Sequence, residues 1–452
     1  MPWARESREL NEVTAIYRKG VYGVQRRRFM MRKWYSLIDK VYNMENLYGA
    51  FKAVKSNKGA PGVDGETIED FEIKLKENIE KLHYELKTDT YYPKEVKRVY
   101  IDKPDGGKRP LGIPTVRDRV VQQALLNVLQ PIFEPDFHPS SYGYRPGRSC
   151  QTAVAKAERF MNKYGLEYVV DMDLSKCFDT LDHELILKAV NQKVSDGKIL
   201  KLIKSFLKSG IMEHGAFYET EKGSPQGGVF SPLLANIYLD YFDKKMMANN
   251  IRIVRYADDI LVFARTKAEA GKYEAFAIGI LENELRLKVN KDKTHITSVA
   301  EGVAFLGFII RRKYISINPK RIKRLKDKIR KITPRNSGRN VEIMIQELNP
   351  ILRGWANYFK VAKCKETFAD IMRWLRRRLR MKKMREWKSW KALHKQLRRM
   401  GYKGDFEKIS MAKWRNSASP LISMALPNKW FDELGLYDIS KLQVGTLYRY
   451  YE

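Results

Sequence analysis

Residues 251–265 read IRIVRYADDILVFAR, two short apolar runs, IRIVRY (251–256) and DILVFAR (259–265), joined at Ala257-Asp258. Apolar, β-branched runs this short form buried strands, and so brief a connection between two of them makes a hairpin. The tip carries Asp258 and Asp259, so paired carboxylates stand at the end of a buried sheet. A second run of the same kind, EYVVDMD (167–173), ends in Asp171 and Asp173. One sheet can bring both acidic ends to a common edge. Strands here alternate with helical stretches, which predicts an α+β architecture with helices on one face of the sheet.

Adjacent carboxylates repel one another and are costly to desolvate without a cation. Two-metal phosphoryl transfer is the chemistry that needs such a cluster, with two Mg²⁺ roughly 3.5–4 Å apart. Because Mg²⁺ keeps several waters, two or three aspartates suffice. Each half alone has an ordinary reading. An Asp-Asp pair is common at β-turns, and Asp171 with Asp173 could be a loop edge. A calcium loop is excluded, since Lys176 stands where that loop needs glycine. Taken together on a chain this basic, the two halves favour a metal-dependent nucleic-acid polymerase. Lys and Arg total 86 against 53 Asp and Glu, a formal net charge of +33, and a surplus of that size calls for a polyanion partner.

At 452 residues, with 44% hydrophobic and 12% aromatic residues, the chain has material for about three packed domains. No apolar run approaches the roughly 20 residues of a spanning helix, and MPWARESREL has no apolar signal core. No membrane partner is expected. Cys150, Cys177 and Cys364 are far apart and form neither a disulfide framework nor a zinc pattern, which favours the reducing cytoplasm. Along the chain, Thr67 to Asp70 reads as a capped helix start and KEVKRVYIDK as a strand before the tight turn of PDGGKRPLG. VRDRVVQQALLNVLQPIF reads as a helix ended by Pro131. Strands stop near residue 314, and RIKRLKDKIRKI begins a helical region with Ile322, Leu325 and Ile329 on one face and basic residues on the other.

The motifs form an ordered series: NKGAPGVDG, IDKPDGGKRPLGIPTVRDRVVQQAL, SYGYRPGRS, VVDMDLSKCFDTLDH, GSPQGGVFSPLLANIYL, VRYADD, LRLKVNKDKT, FLGF and LRGWANYF. In that order the chain resembles the group II intron-encoded reverse transcriptase-maturases. The resemblance implies a right-hand polymerase, with fingers and an antiparallel palm sheet, followed by an all-α thumb/maturase domain. The implied divisions are a basic extension at 1–45, fingers at 46–160, palm at 161–313, thumb/maturase at 314–400 and a DNA-binding region at 401–452.

Carried over by motif, Asp173, Asp258 and Asp259 are the expected catalytic and metal residues, with a pair of Mg²⁺ ions as cofactor. Asp171 matches no ligand and is left in support. Lys293 is the expected proton donor or neutraliser at the leaving pyrophosphate. Lys103 and Arg109 match the grip on the incoming triphosphate, which a point charge and a planar fork both suit; contact with the template backbone is the other reading. Phe178 matches the bulky gate against a 2′-hydroxyl, and Leu174 and Gln226 belong to the same nucleotide-binding set. Phe305, Leu306, Gly307 and Phe308 match the primer grip, although an apolar strand would look alike. Asp102, Ser224 and Tyr144 replace proline, threonine and phenylalanine of the usual pattern, which touches fine positioning and removes no catalytic group.

Between Arg373 and Lys403 fourteen Lys and Arg face one acid, Glu386, with Trp374, Trp387 and Trp390 interleaved. Such a segment neutralises phosphates and stacks on unpaired bases. Arg145, Arg148, Arg376, Arg377, Arg378, Lys382 and Lys383 are therefore expected to bind nucleic acid, while Trp355, Tyr358 and Phe359 read as bundle core. The implied partners are structured intron RNA, an RNA template with its DNA primer, dNTPs and target DNA. The paired cysteines of the H-N-H endonuclease do not occur, which matches a bacterial class without that domain, working in a cytoplasmic ribonucleoprotein. The implied activity is RNA-directed DNA synthesis with assistance to intron splicing and mobility. Two alternatives stay open: a domesticated or defence-associated reverse transcriptase without an intron, and an RNA-binding splicing factor without synthesis.

Overall fold

A computed structural model describes residues 33–102, 106–213, 216–223, 227–334 and 338–451. Most of the basic extension, with Lys103, Ser224 and Gln226, lies outside them. What is described of the extension is tied to the body. Trp34 makes a β-bridge to Val194, and the Leu37 and Ile38 amides donate to Asp196 Oδ2 at 2.7 and 3.0 Å.

The first helices, Met44–Asn57, Leu75–Lys87 and Val116–Phe133, pack into one apolar cluster through Leu47, Phe51, Ile79, Leu82 and Val120. Side-chain caps start several helices of this region. Thr67 and Asp70 close a reciprocal capping box ahead of Ile68–Ile73, and Thr115 accepts from the Asp118 amide. Pro131 does not end its helix as expected. It sits in the final turn, and the Glu134 amide still reaches Gln130 O, so only one ladder bond is lost.

Strand β1 (Val96–Asp102) is the strand expected; the turn read over PDGGKRPLG is shorter, because Lys108–Ile113 forms β2, antiparallel to β1 in a hairpin. The sheet is wider than that hairpin. β4 (Ile211–Glu213) pairs parallel to β1 and carries β5 (Ala216–Tyr218) at its edge. Residues assigned to the palm range thus complete a fingers sheet.

The palm sheet is antiparallel in the order β6-β7-β3-β8, with β3 at Tyr168–Met172, β6 at Arg252–Tyr256, β7 at Asp259–Ala264 and β8 at His295–Ser298. Helices cover both faces, not the single face expected. Val170, Met172, Ile260 and Val262 join the cluster of helix Ser231–Ala248. Val169, Val254, Leu261 and Phe263 face the other way, against Ala153, Val154 and Phe160 of helix Cys150–Asn162. Burial on both sides is why these strands read as unbroken apolar runs.

A three-stranded sheet follows: β9 (Val303–Phe305), β10 (Phe308–Ile310) and β11 (Ile315–Ile317). Strands therefore continue just past residue 314. Helices Pro319–Ile332, Val341–Phe359, Lys365–Trp387 and Trp390–Arg399 complete the bundle. No packing gap opens at residue 401. Leu393 and Leu397 share a core with Ile409 and Ile422, and Phe431, Ile439 and Leu447 return to the palm-side core. Among the described residues no helix is long and apolar enough to cross a membrane.

Candidate active site

The β6–β7 turn is the tight hairpin expected, with Tyr256 paired to Asp259 across Ala257-Asp258. Ala257 adopts φ +59°, a left-handed conformation that residues with a Cβ avoid. Because β3 pairs with β7, Met172 lies opposite Ile260 and Asp171 opposite Leu261. Asp173, one residue beyond β3, thereby arrives beside the acidic turn. From the other side, Asp171 pairs with His295, and the Asn290 amide donates to Asp173 O at 2.9 Å. That contact brings in the segment bearing Lys293, whose Nζ is 3.1 Å from Asp173 Oδ2. Asn290 Nδ2 approaches the same oxygen at 3.3 Å.

Asp171, Asp173, Asp259, Asp292, Lys293 and His295 line one open cleft of about 360 Å³ together with Ala304, Phe305 and Leu306. A cavity of about 410 Å³ elsewhere, between Phe133, Tyr238 and Lys244, holds none of these acids; chemistry, not size, locates the site.

The carboxylates disturb one another. Asp259 is exposed to the cleft, yet partial loss of water within it pushes its carboxyl up to about 7, reinforced by Asp258, Asp171 and Asp173. Burial likewise raises Asp171 to about 6, with Asp173 adding and His295 opposing. Asp258 is raised by burial and Asp173, against the charges of Arg109 and Arg255. A cluster that resists its own ionisation suits a divalent cation, and hard oxygen donors suit Mg²⁺. Among the described residues no three His, Cys, Asp or Glu converge as a finished ligand set; Asp173 turns its Oδ2 to Lys293 and Asn290. The donor chemistry fits Mg²⁺.

Arg109 on β2 is exposed, and its charge bears on both Asp258 and Tyr144. The fingers hairpin thus bears electrostatically on the acidic turn. Phe178 is nearly buried and meets exposed Tyr144 edge-on at 6.1 Å, forming the wall beside Asp258. Leu174 departs from expectation. Its side chain is 3% exposed, in the core, and only its backbone, bridged to Val289, faces the site region.

The primer-grip residues form a tight hairpin and not one continuous apolar strand. Phe305 and Phe308 pair across it with buried rings, so Leu306 (φ +48°) and Gly307 (φ +86°) are the tip. Tyr358 Oη donates to Leu306 O at 2.8 Å, and its ring stacks on Phe308 at 5.6 Å. Tyr358 is thus a brace on the tip as well as core, a role that its place in an amphipathic helix does not signal.

The expected nucleic-acid cations need the largest correction. Arg145 is buried, paired with Glu134 and donating to the carbonyls of His138 and Ser141. Arg376 is buried against Asp438, and Lys382 is 6% exposed. Arg377 lies over Trp414 and Arg378 donates to Thr333 Oγ1 at 2.9 Å. Lys383 pairs with Glu386 at 2.9 Å, and Arg148 donates to Pro139 O at 3.0 Å. Arg145, Arg376 and Lys382 are thus buried in the fold, whereas Arg148, Arg377, Arg378 and Lys383 are half-buried with partners inside it. Outward charge is carried by other cations of the basic segment at 373–403, Arg373, Lys388, Lys391, Lys395, Arg398, Arg399 and Lys403, and by helix Pro319–Ile332, where Lys320, Arg321, Lys323, Arg324, Lys328, Arg330 and Lys331 are exposed. Arg321 lies against Gly307, where an added Cβ would meet its Nε at 3.1 Å.

An antiparallel palm sheet with an acidic turn, a fingers sheet beside it and a helical bundle bracing a nearby tip are the parts of a nucleic-acid polymerase. Residues 101–310 match the family of reverse transcriptase (RNA-dependent DNA polymerase), and residues 322–401 match the group II intron, maturase-specific domain. The chain is 36% identical over 316 residues to Protein YkfC of Escherichia coli (strain K12), covering 61% of this chain and 83% of that protein. It is 32% identical over 331 residues to the group II intron-encoded protein LtrA of Lactococcus lactis subsp. cremoris, covering 58% of this chain and 54% of LtrA. A putative COX1/OXI3 intron 1 protein of Saccharomyces cerevisiae is 30% identical over 332 residues, 61% of this chain and 39% of that protein. The chain spans about half of LtrA and less of the yeast protein. It belongs to the reverse transcriptase family, in the branch that carries a group II intron maturase-specific domain, and its enzyme class is RNA-directed DNA polymerase.

Proposed function

We propose that this RNA-directed DNA polymerase works by two-metal nucleotidyl transfer and that its helical half binds intron RNA to promote splicing and mobility. The observation that carries the first part is the meeting of Asp173, Asp259, Lys293 and Leu306 on one cleft, with Asp258 at the adjoining turn. Asp173 and Asp258, with Asp259 in support, would hold a pair of Mg²⁺, which when bound neutralise the reacting phosphates and activate the primer 3′-hydroxyl. Arg109 and Lys103 receive the triphosphate. Lys293 holds a proton at Nζ beside Asp173 and delivers it towards the leaving pyrophosphate. Phe178 and Tyr144 form the wall next to the sugar, and Leu306-Gly307 sets the primer end. For RNA, the exposed cations of Pro319–Ile332 offer a phosphate-binding stripe. The folded intron RNA and its DNA target are the partners proposed, in a cytoplasmic ribonucleoprotein.

The test is primer extension on an RNA template with dNTPs and Mg²⁺. Wild type should extend and Asp258→Ala should not; extension by the variant would sink the assignment of the site. Splicing is tested apart from synthesis, by adding the protein to intron RNA flanking its own reading frame. No change in spliced product with wild-type protein would remove that half of the proposal.

A further inference from the structure

Arg255, in β6 two residues before Ala257, has the largest fully buried side chain among the described residues. Its ion-pair partner, Asp243 on helix Ser231–Ala248, is equally sealed, both side chains being 0% exposed. A guanidinium has five N–H donors, and here all five have acceptors. Nε faces both Asp243 oxygens at 2.8 and 3.0 Å. Nη2 donates to Asp243 Oδ2 at 2.6 Å and to Ser141 Oγ at 2.9 Å. Nη1 donates to Asn236 Oδ1 and to the Ala257 carbonyl, both at 3.0 Å.

Those acceptors belong to three separate pieces of chain: the helix behind the sheet, the loop around Ser141 and the catalytic turn itself. The pieces are also tied to one another. Asn236 Nδ2 donates to Gly143 O at 2.8 Å, while the Tyr142 amide donates to Arg255 O and the Arg255 amide to Ser140 O, each at 2.9 Å. Gly143 lies so close to the turn that an added Cβ would stand 2.3 Å from Ala257 N.

A buried ion pair is a poor means of gaining stability, because desolvation offsets most of its attraction. An apolar side chain would fill the space. What it could not do is hold the Ala257 carbonyl, and Ala257 is the residue in the left-handed conformation. Backbone in a sparsely populated region persists only when its surroundings over-determine it. We infer that Arg255 is a positioning residue for polymerisation: through its bond to the Ala257 carbonyl it fixes the turn from which Asp258 projects, and it ties that turn to helix Ser231–Ala248 and to the Ser141 loop. It touches no substrate. The inference rests on the polymerase reading of Asp258.

The test uses the full chain in primer extension on RNA, with thermal melting alongside. Arg255→Lys keeps a cation facing Asp243, but its single nitrogen cannot also serve Asn236, Ser141 and the Ala257 carbonyl. Expected are a fall in kcat of about a hundredfold, the scale set by a small misplacement of a reacting group, an unchanged dNTP KM, and a higher Mg²⁺ concentration for half-maximal rate. A merely structural role would lower the melting temperature without moving the Mg²⁺ dependence. If Arg255→Lys does not fold, Asn236→Ala decides, since it removes one brace on each side of the turn: a lower kcat with a raised Mg²⁺ requirement supports the inference. Unchanged kcat and Mg²⁺ dependence in the deciding variant overturn it, and so does a loss that only follows the melting temperature. An inactive wild type would overturn the proposed function instead.

Discussion

Lys293 Nζ lies 3.1 Å from Asp173 Oδ2, although 120 residues separate the two in sequence. The pair is open to water, its side chains being 66% and 32% exposed, so its worth to stability is only about 0–1 kcal/mol. Any large effect of removing Lys293 must therefore come from chemistry. Lys293→Ala should slow single-nucleotide addition by about a hundredfold or more, the usual weight of a lost proton donor. The melting temperature should stay within about 2 °C of wild type. Equal rates in rapid-quench measurements would show that Lys293 is only a surface partner of Asp173.

Phe178 supplies the second prediction. Its ring is nearly buried, with one contact to the exposed ring of Tyr144. Truncation to alanine would cost about 3–5 kcal/mol in packing, which would blur any change in selectivity. Phe178→Val is the cleaner variant, and it should raise the ratio of ribonucleotide to deoxynucleotide kcat/KM about tenfold or more. If that ratio does not move, Phe178 is a core aromatic and another side chain faces the sugar.

How much of this was readable in the sequence depends on how local each cause is. The acidic hairpin was legible because its strands and turn are set by neighbours within fifteen residues, and the Thr67–Asp70 box for the same reason. Arg145 and Arg376 were misread because a basic residue looks the same whether it meets phosphate or a carboxylate; Asp438, which claims Arg376, lies 62 residues away. Leu174 followed its motif, yet pleating turned its side chain inward. Arg255 did leave a signal that went unused. A charge set between buried strand positions implies a buried counter-charge, and Asp243 stands only twelve residues earlier.

Acid should loosen the end of the chain through Asp438. Burial alone would raise its pKa, but the Ser440 hydrogen bonds and the Arg376 charge outweigh it and leave the carboxyl below the usual range. Its folded pKa is thus lower than its unfolded one. The stabilisation is complete above the unfolded value of about 4 and is lost as pH falls through the folded one. Wild type should lose more melting temperature between about pH 5 and pH 3 than Asp438→Asn, which should already be weaker at neutral pH by about 3–5 kcal/mol because Arg376 stays buried without its partner. Parallel melting curves for the two across that interval would refute the assignment.

The last prediction concerns a bond that crosses between the two family matches. Leu306 lies in the reverse transcriptase region, residues 101–310, and Tyr358 in the maturase-specific region, residues 322–401, yet Tyr358 Oη holds the Leu306 carbonyl at 2.8 Å. That carbonyl belongs to the tip where φ is positive at two consecutive residues, so the tip depends on outside bracing. Tyr358→Phe keeps the stack on Phe308 and removes one hydrogen bond, about 1 kcal/mol. If the tip seats the primer, that loss should appear as weaker primer–template binding by roughly fivefold, with dNTP KM unchanged because Arg109 and Phe178 are untouched. Filter binding and steady-state extension would measure both. A shifted dNTP KM with unaltered primer binding would place Tyr358's influence on the nucleotide side. Unchanged values for both would leave the tip independent of the helical half. The expected split would instead mean that the polymerase site is incomplete without a side chain from the maturase-specific region.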